Sequence, residues 1–202
     1  MTPKVIIPIY FDYASTLCYV AWRIVRDLEA ELEFLPLWKG VPIRLRDGRA
    51  RPGNQIGPIE RMKVLTALAE TGVSVQPLDH WIDSDAALEG AELAREAGVL
   101  PLYHERVFRS LFEYRADIAE PNLLTQIARE CGLDSARFCA DLTARRMAPQ
   151  IDTNKQEADR LSALGYPAFV LGDFPLIGIQ PIATMRLLLR RFIDQRSHEL
   201  PN

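Results

Sequence analysis

Ser15 and Cys18 stand three residues apart in the run Phe11-Asp12-Tyr13-Ala14-Ser15-Thr16-Leu17-Cys18-Tyr19, directly after an apolar stretch and at the opening of a helical pattern. A helix N-terminus presents unpaired N–H groups and a partial positive charge, so an oxygen or sulfur anion held there is stabilised. A thiolate gains most from such a place. A dithiol redox site has the spacing Cys-x-x-Cys, with the first sulfur attacking and the second resolving. Here the first position is serine, so Cys18 has no internal disulfide partner unless Cys131 or Cys139 comes close. Two thiol chemistries remain. In one, Ser15 donates a hydrogen bond to a thiolate supplied from outside, such as that of glutathione, and lowers its pKa. In the other, Cys18 itself reacts and forms mixed disulfides without a resolving thiol. Ser15 is equally the residue type of an ordinary helix N-cap.

The elements that would position this pair are legible on either side of it. Val5 to Phe11 is rich in β-branched and aromatic residues and reads as a buried strand. From Thr16 to Leu32, Val20, Ile24, Val25 and Leu28 recur at helical spacing. Residues 31–38 alternate as a second strand, with Pro36 marking an edge or an end. Strand, helix and strand at these lengths form a parallel βαβ unit. A long polar loop follows over 39–58 and carries Arg44, Arg46, Arg49 and Arg51, which could hold a carboxylate-bearing ligand or simply face solvent. Helical patterns then run over 59–71, 86–97, 102–114, 122–131, 135–147 and 151–164, with Gly72, Gly98, Pro101, Pro121 and Gly132 as punctuation. Residues 165–178 read as two short strands joined by a Gly-Asp turn, and 181–195 as an amphipathic helix.

Composition excludes several classes of function. The chain has 202 residues, 48% of them hydrophobic, enough to bury a full core with an inserted subdomain. A net charge of −3 and the lack of a basic run interleaved with aromatics argue against nucleic acid as a partner. No stretch approaches a membrane span, the apolar start is too short for a secretory leader, and three irregularly spaced cysteines suit a reducing compartment, so the expected location is the cytoplasm. No dinucleotide or phosphate-binding glycine motif and no metal-ligand spacing is present, which predicts neither a nucleotide nor a metal cofactor.

The order of elements, Ser15-x-x-Cys18-Tyr19 after the first strand, and Gly165-Tyr166-Pro167-Ala168-Phe169-Val170 before the third strand resemble the DsbA-like branch of the thioredoxin superfamily. That family includes disulfide oxidoreductases with Cys-x-x-Cys, and also kappa-class glutathione transferases and 2-hydroxychromene-2-carboxylate isomerases with serine at the first position. The resemblance covers nearly the whole chain. It implies an α/β thioredoxin-like fold with an inserted all-helical subdomain, divided as 1–57 and 148–202 for the thioredoxin-like part and 58–147 for the insert.

By the same resemblance, Ser15 falls where the transferase and isomerase branch contacts glutathione sulfur, and Cys18 where oxidoreductases keep the resolving cysteine. Pro167 matches a cis-proline that exposes the Tyr166 backbone to a bound peptide or glutathione. Gly53-Asn54 matches a pair that the isomerase-like branch uses near glutathione, which makes Asn54 a binding candidate; a plain turn is the other reading of that pair. The chain departs from the glutathione branch at two places: Thr16 stands where that branch usually has proline, and Gly178-Ile179-Gln180-Pro181 lacks the acidic residue it tends to carry there and looks more like the oxidoreductase-like members.

The implied activity is that of a thiol-disulfide oxidoreductase relative with a degenerate Ser-x-x-Cys site. A glutathione-dependent isomerase or transferase and a non-catalytic peptide-binding module are the alternatives. Partners would be a small thiol, an aromatic small molecule or a thiol-containing protein, and a homodimer is among the assemblies open to it. Of the remaining candidates, Cys131 and Cys139 read as buried inert thiols, His80 as part of a surface turn, and His104 as a helix residue with no catalytic role. Asp12 either caps the turn before Ser15 or raises a nearby thiol's pKa by charge repulsion.

Overall fold

The computed structural model describes residues 4–43, 50–163 and 165–199. Three of the loop arginines, Arg44, Arg46 and Arg49, lie outside the described residues, and Arg51 is exposed.

Twelve elements follow one another among the described residues: β1 (Ile6–Phe11), α1 (Thr16–Leu32), β2 (Leu35–Gly40), α2 (Pro58–Thr71), α3 (Asp85–Glu96), α4 (Leu100–Phe112), α5 (Pro121–Glu130), α6 (Ser135–Thr143), α7 (Ala148–Arg160), β3 (Ala168–Leu171), β4 (Phe174–Ile177) and α8 (Ile182–Glu199). The sheet order is β2-β1-β3-β4. Strands β1 and β2 run parallel, Ile6 opposite Leu35 and Phe11 opposite Gly40, as a right-sized βαβ unit requires. Strand β3 lies antiparallel to β1, with Tyr10 opposite Ala168, and β4 returns antiparallel to β3. The centre of the sheet is therefore β1, whose C-terminal end feeds straight into Ser15.

Helix α1 forms because its apolar residues fall on one side: Val20, Ala21, Ile24, Val25 and Leu28 are buried while Arg23 and Arg26 are not. Its outer turns reach α4 through aromatic rings. Trp22 stacks on Phe108 at 5.5 Å and Tyr19 on Phe112 at 4.6 Å, pairs that add to the area they bury. One hydrophobic cluster accordingly runs from β1 and α1 through α3, α4 and α5, and joins the helices after β2 to the sheet.

The outer edge of β2 is covered, in keeping with the edge position that Pro36 suggests. Arg95 donates to the Trp38 carbonyl and the Asn154 amide to the Gly40 carbonyl, so two groups of the exposed ladder are satisfied by side chains from α3 and α7. Gly40 is needed here for another reason: a Cβ at that position would stand 2.9 Å from Leu88 Cδ2.

The apolar residues Ile59, Met62 and Leu65 of α2 face solvent, because the helix touches the body through Ala67, Thr71 and the half-buried Leu68. Three local expectations are corrected. The second strand is Leu35–Gly40 rather than 31–38, because α1 runs on to Leu32. Helix α6 ends at Thr143 rather than Met147, and α7 starts at Ala148. Cys139 is exposed, one position round the helix from the buried Phe138, and Cys131 is buried; both thiols are free.

Candidate functional site

The site is a tight turn followed by a capped helix. Ser15 N–H donates to the Asp12 carbonyl at 3.2 Å, which closes a turn with Tyr13 and Ala14 at its centre. The Asp12 carboxylate reinforces it: Oδ1 accepts from Ala14 N–H at 2.9 Å, and Oδ2 from Ile43 N–H at 2.6 Å in the segment after β2. Ser15 then has extended backbone, and its Oγ accepts from the Cys18 amide at 3.3 Å. This is the N-cap geometry its residue type allows; the Ser15 side chain is itself buried, and its hydroxyl also lies within hydrogen-bond reach of the Cys18 sulfur.

Cys18 lies one turn into α1 and is fully buried. Its Sγ accepts from the Asp12 amide at 3.5 Å. Burial pushes the thiol up to about 12, against smaller lowering by the hydrogen bonds from Ser15 and the Asp12 amide; the Asp12 carboxylate adds a little to the rise. Both readings of Asp12 thus hold together: it caps the turn and it repels a thiolate on Cys18. At neutral pH Cys18 is therefore a protonated, inert thiol.

Tyr166 and Pro167 approach from the other side of β1. Their peptide bond is cis, and the Pro167 carbonyl accepts from Gly178 N–H at 2.7 Å, a contact made by a residue at φ 82 that glycine adopts without strain. Ala168 pairs with Tyr10, so Tyr166, two residues earlier, lies beside the segment that follows β1, where the Asp12 carboxylate acts on its phenol. Burial holds the Tyr166 phenol protonated, with the Asp159 and Asp12 carboxylates and Cys18 adding to the effect. Ser15, Cys18, Tyr166 and Pro167 therefore share one end of the sheet.

Asn54 belongs to a separate piece of local structure. Gly53 N–H donates to Trp81 C=O, Trp81 N–H to Asn54 C=O and Ile56 N–H to Asp79 C=O, each at 2.8 Å, so the segment pairs with residues 79–81 as a short ladder. That ladder is tied to the site by Thr16, whose Oγ1 accepts from the buried Leu78 amide at 3.3 Å. A proline at position 16 would lack that hydroxyl.

Two residues of the site carry no signal in the sequence. The side chain of Tyr13 turns into the helices and its hydroxyl meets His104 Nδ1 at 3.0 Å. His104 is buried on α4, among Phe11, Phe108 and Trp38 at ring distances of 4.7–4.8 Å. Burial, with a smaller push from Arg95, lowers its pKa to about 3, so the ring is neutral. His80 is exposed, as a surface turn implies. Among the described residues no cluster of His, Cys, Asp and Glu is placed to hold a metal, and no helix is long and apolar enough to cross a membrane.

Comparison with known proteins adds a family and a fold. The model of the DSBA-like thioredoxin domain matches residues 6–190. The uncharacterised protein YwbO of Bacillus subtilis is 25% identical over an alignment of 190 residues that covers 85% of this chain and 89% of that protein. Among solved structures, a 2-hydroxychromene-2-carboxylate isomerase superposes with a TM-score of 0.75 at 17% identity, over 98% of this chain and all of that one. The cytosolic disulfide reductase DsbM of Pseudomonas aeruginosa, solved with GSH, gives 0.69 at 16% identity, over 95% of this chain and all of that one. The thioredoxin-like α/β fold with its added helices is thereby established.

Proposed function

The chain belongs to the DSBA-like thioredoxin domain family, and from that premise we propose that it is a thiol-dependent enzyme whose reactive sulfur arrives on a bound small thiol, with glutathione as the co-substrate. The observation that carries this reading is the division of labour at the helix start. Cys18 is sealed and its thiol is pushed up to about 12, while Ser15 stands at the N-cap with a hydroxyl that would turn its proton from the Cys18 sulfur to an incoming thiolate. A thiolate placed against Ser15 would meet that O–H and the positive end of α1, both of which favour the anion. The Tyr166-Pro167 segment would align the backbone of the thiol, and the Asn54 ladder would border it. Cys18 then serves packing rather than chemistry.

The acceptor in this reading is a carbon electrophile on an aromatic substrate, in the manner of an isomerase or transferase, because serine stands at position 15, where a Cys-x-x-Cys site would carry its attacking sulfur. A second reading, exchange between bound glutathione and a disulfide, draws on Gly178-Ile179-Gln180-Pro181, which resembles the oxidoreductase members, and on Thr16, which departs from the glutathione branch. The division into 1–57 with 148–202 and the helical 58–147 belongs to the same proposal, the site lying where the two parts meet. So does a cytoplasmic setting, where glutathione is reduced and free cysteines persist.

Calorimetric titration of the reduced protein with reduced glutathione tests it. Saturable binding is expected, at least tenfold weaker in Ser15→Ala and within twofold of the parent in Cys18→Ala. Absence of binding by the parent protein would overturn the reading, and so would binding that survives Ser15→Ala but is lost in Cys18→Ala.

A further inference from the structure

We propose that His104 is a positioning residue for the Ser15 site, acting from the helical block through the Tyr13 hydroxyl on the turn that presents Ser15. The proposal rests on the reading of Ser15 as the thiolate-binding group and adds a residue to it.

The turn from Asp12 to Ser15 is held at two points. Its first residue, Asp12, is fastened to the segment after β2 through Ile43 N–H. Its second residue, Tyr13, is fastened to α4, 91 positions away in sequence, by the 3.0 Å contact with His104 Nδ1. Ser15 follows with its backbone N–H tied to Asp12 and its Oγ engaged by the Cys18 amide. Rotation of the turn about the strand axis would move Ser15 off the helix start. The Tyr13 side chain is the lever that resists it, since its ring also packs at 4.9 Å on Phe108 and 5.0 Å on Phe11.

The cost of the contact is visible on the other side of the imidazole. His104 Nε2 is buried and finds no hydrogen-bond partner among the described residues. Whichever nitrogen carries the proton, one polar atom is stranded: if Tyr13 O–H donates to Nδ1, then Nε2–H is an orphan donor, and if Nδ1–H donates to Tyr13, the Nε2 lone pair is unused. The surrounding rings of Phe11, Trp38 and Phe108 offer an apolar cage in which a phenylalanine would sit at less expense. A histidine in that cage contributes one thing a phenylalanine cannot, the bond to Tyr13.

Stability and site function therefore separate in opposite directions, which a purely structural histidine would not show. In the double variant Tyr13→Phe/His104→Phe both polar partners vanish together and the orphan nitrogen goes with them, so Tm is expected at or above that of the parent. Its affinity for reduced glutathione is expected to fall at least tenfold. In His104→Asn a polar atom on Cγ replaces Nδ1 while the rest of the ring is lost, so Tm is expected to drop yet affinity to stay within about threefold of the parent. Affinity that follows Tm instead, with the double variant binding normally or His104→Asn losing binding, would overturn the proposal.

Failure of the parent protein to bind glutathione would count against the proposed function alone. The positioning role is then read from hydrogen exchange of the Ser15 and Cys18 amides. Exchange at least tenfold faster in the double variant, restored in His104→Asn, supports it; exchange unchanged in the double variant overturns it.

Discussion

The Thr16 hydroxyl accepts a hydrogen bond from the Leu78 amide at 3.3 Å, with both residues buried. This one contact joins the first residue of α1 to the segment that pairs with Asn54, and so couples the helix start to the loop after β2. Replacement by valine keeps the shape but strands the Leu78 N–H. Thr16→Val is expected to lose about 1–3 kcal/mol of stability, the cost of a buried donor left without a partner. Urea unfolding measures it, and a loss below about 0.5 kcal/mol would show that water reaches Leu78.

The cysteines should differ sharply in reactivity. Cys139 is exposed, whereas Cys18 is sealed with its thiol up to about 12. Mass-spectrometric mapping after iodoacetamide at pH 7 is expected to find Cys139 modified first. Cys18 should react roughly a thousandfold more slowly than a free cysteine, because so little of it is thiolate, and fast only after unfolding. Alkylation of native Cys18 at the rate of Cys139 would contradict its burial.

Acid stability carries the signature of His104. Its folded pKa of about 3 lies below the ordinary 6.5, so the unfolded chain takes up the proton first as pH falls. The stability associated with the neutral ring is complete above pH 6.5 and is lost progressively between pH 6.5 and about 3. The parent should therefore show a decline of a few kcal/mol over that window beyond what the carboxylates cause. His104→Phe should lack this component, and difference curves from urea unfolding at pH 7, 5 and 4 would show it. Parallel curves would mean that His104 is not buried as a neutral ring.

Ser15→Cys restores the Cys-x-x-Cys spacing at the helix start. The introduced sulfur would sit where Oγ now contacts the Cys18 amide, within reach of a disulfide with Cys18. The variant is expected to form that disulfide on oxidation and to show more reductase activity toward a protein disulfide such as insulin's than the parent. A variant whose two thiols stay free under oxidant would show that Cys18 is held too rigidly to turn.

Ser15→Ala should also cost about 1 kcal/mol through the lost cap alone. A larger loss, measured by urea unfolding, would mean that the hydroxyl supports more than the Cys18 amide.

Most strands and helices could be read directly from the chain, as could the capping role of Ser15 and the turn role of Asp12, because each depends mainly on neighbours within four residues; the second strand lies at Leu35–Gly40, later than its alternation suggests. The helix over 16–32, its stop before the second strand and the Gly72 cap are of this kind. The resemblance in turn placed Ser15, Cys18, Tyr166 and Pro167 at one site, and β1 does bring them together, since parallel β2 and antiparallel β3 flank the strand that ends there.

Partners remote in sequence were decided only by packing. Whether Cys18 reacts or is sealed depends on how α1 seats against β1, and no residue near it records that. The stripe Ile59, Met62 and Leu65 has a helical period but not the direction it faces, and Cys139 sits beside a buried phenylalanine without sharing its burial. The Tyr13–His104 contact spans 91 residues and arises because His104 and Phe108 of α4 pack on Phe11 at the end of β1. Local propensity acts along the chain and can be read from it. Burial, which sets the pKa of Cys18 and His104, belongs to the assembled core and exists only once the distant segments have met.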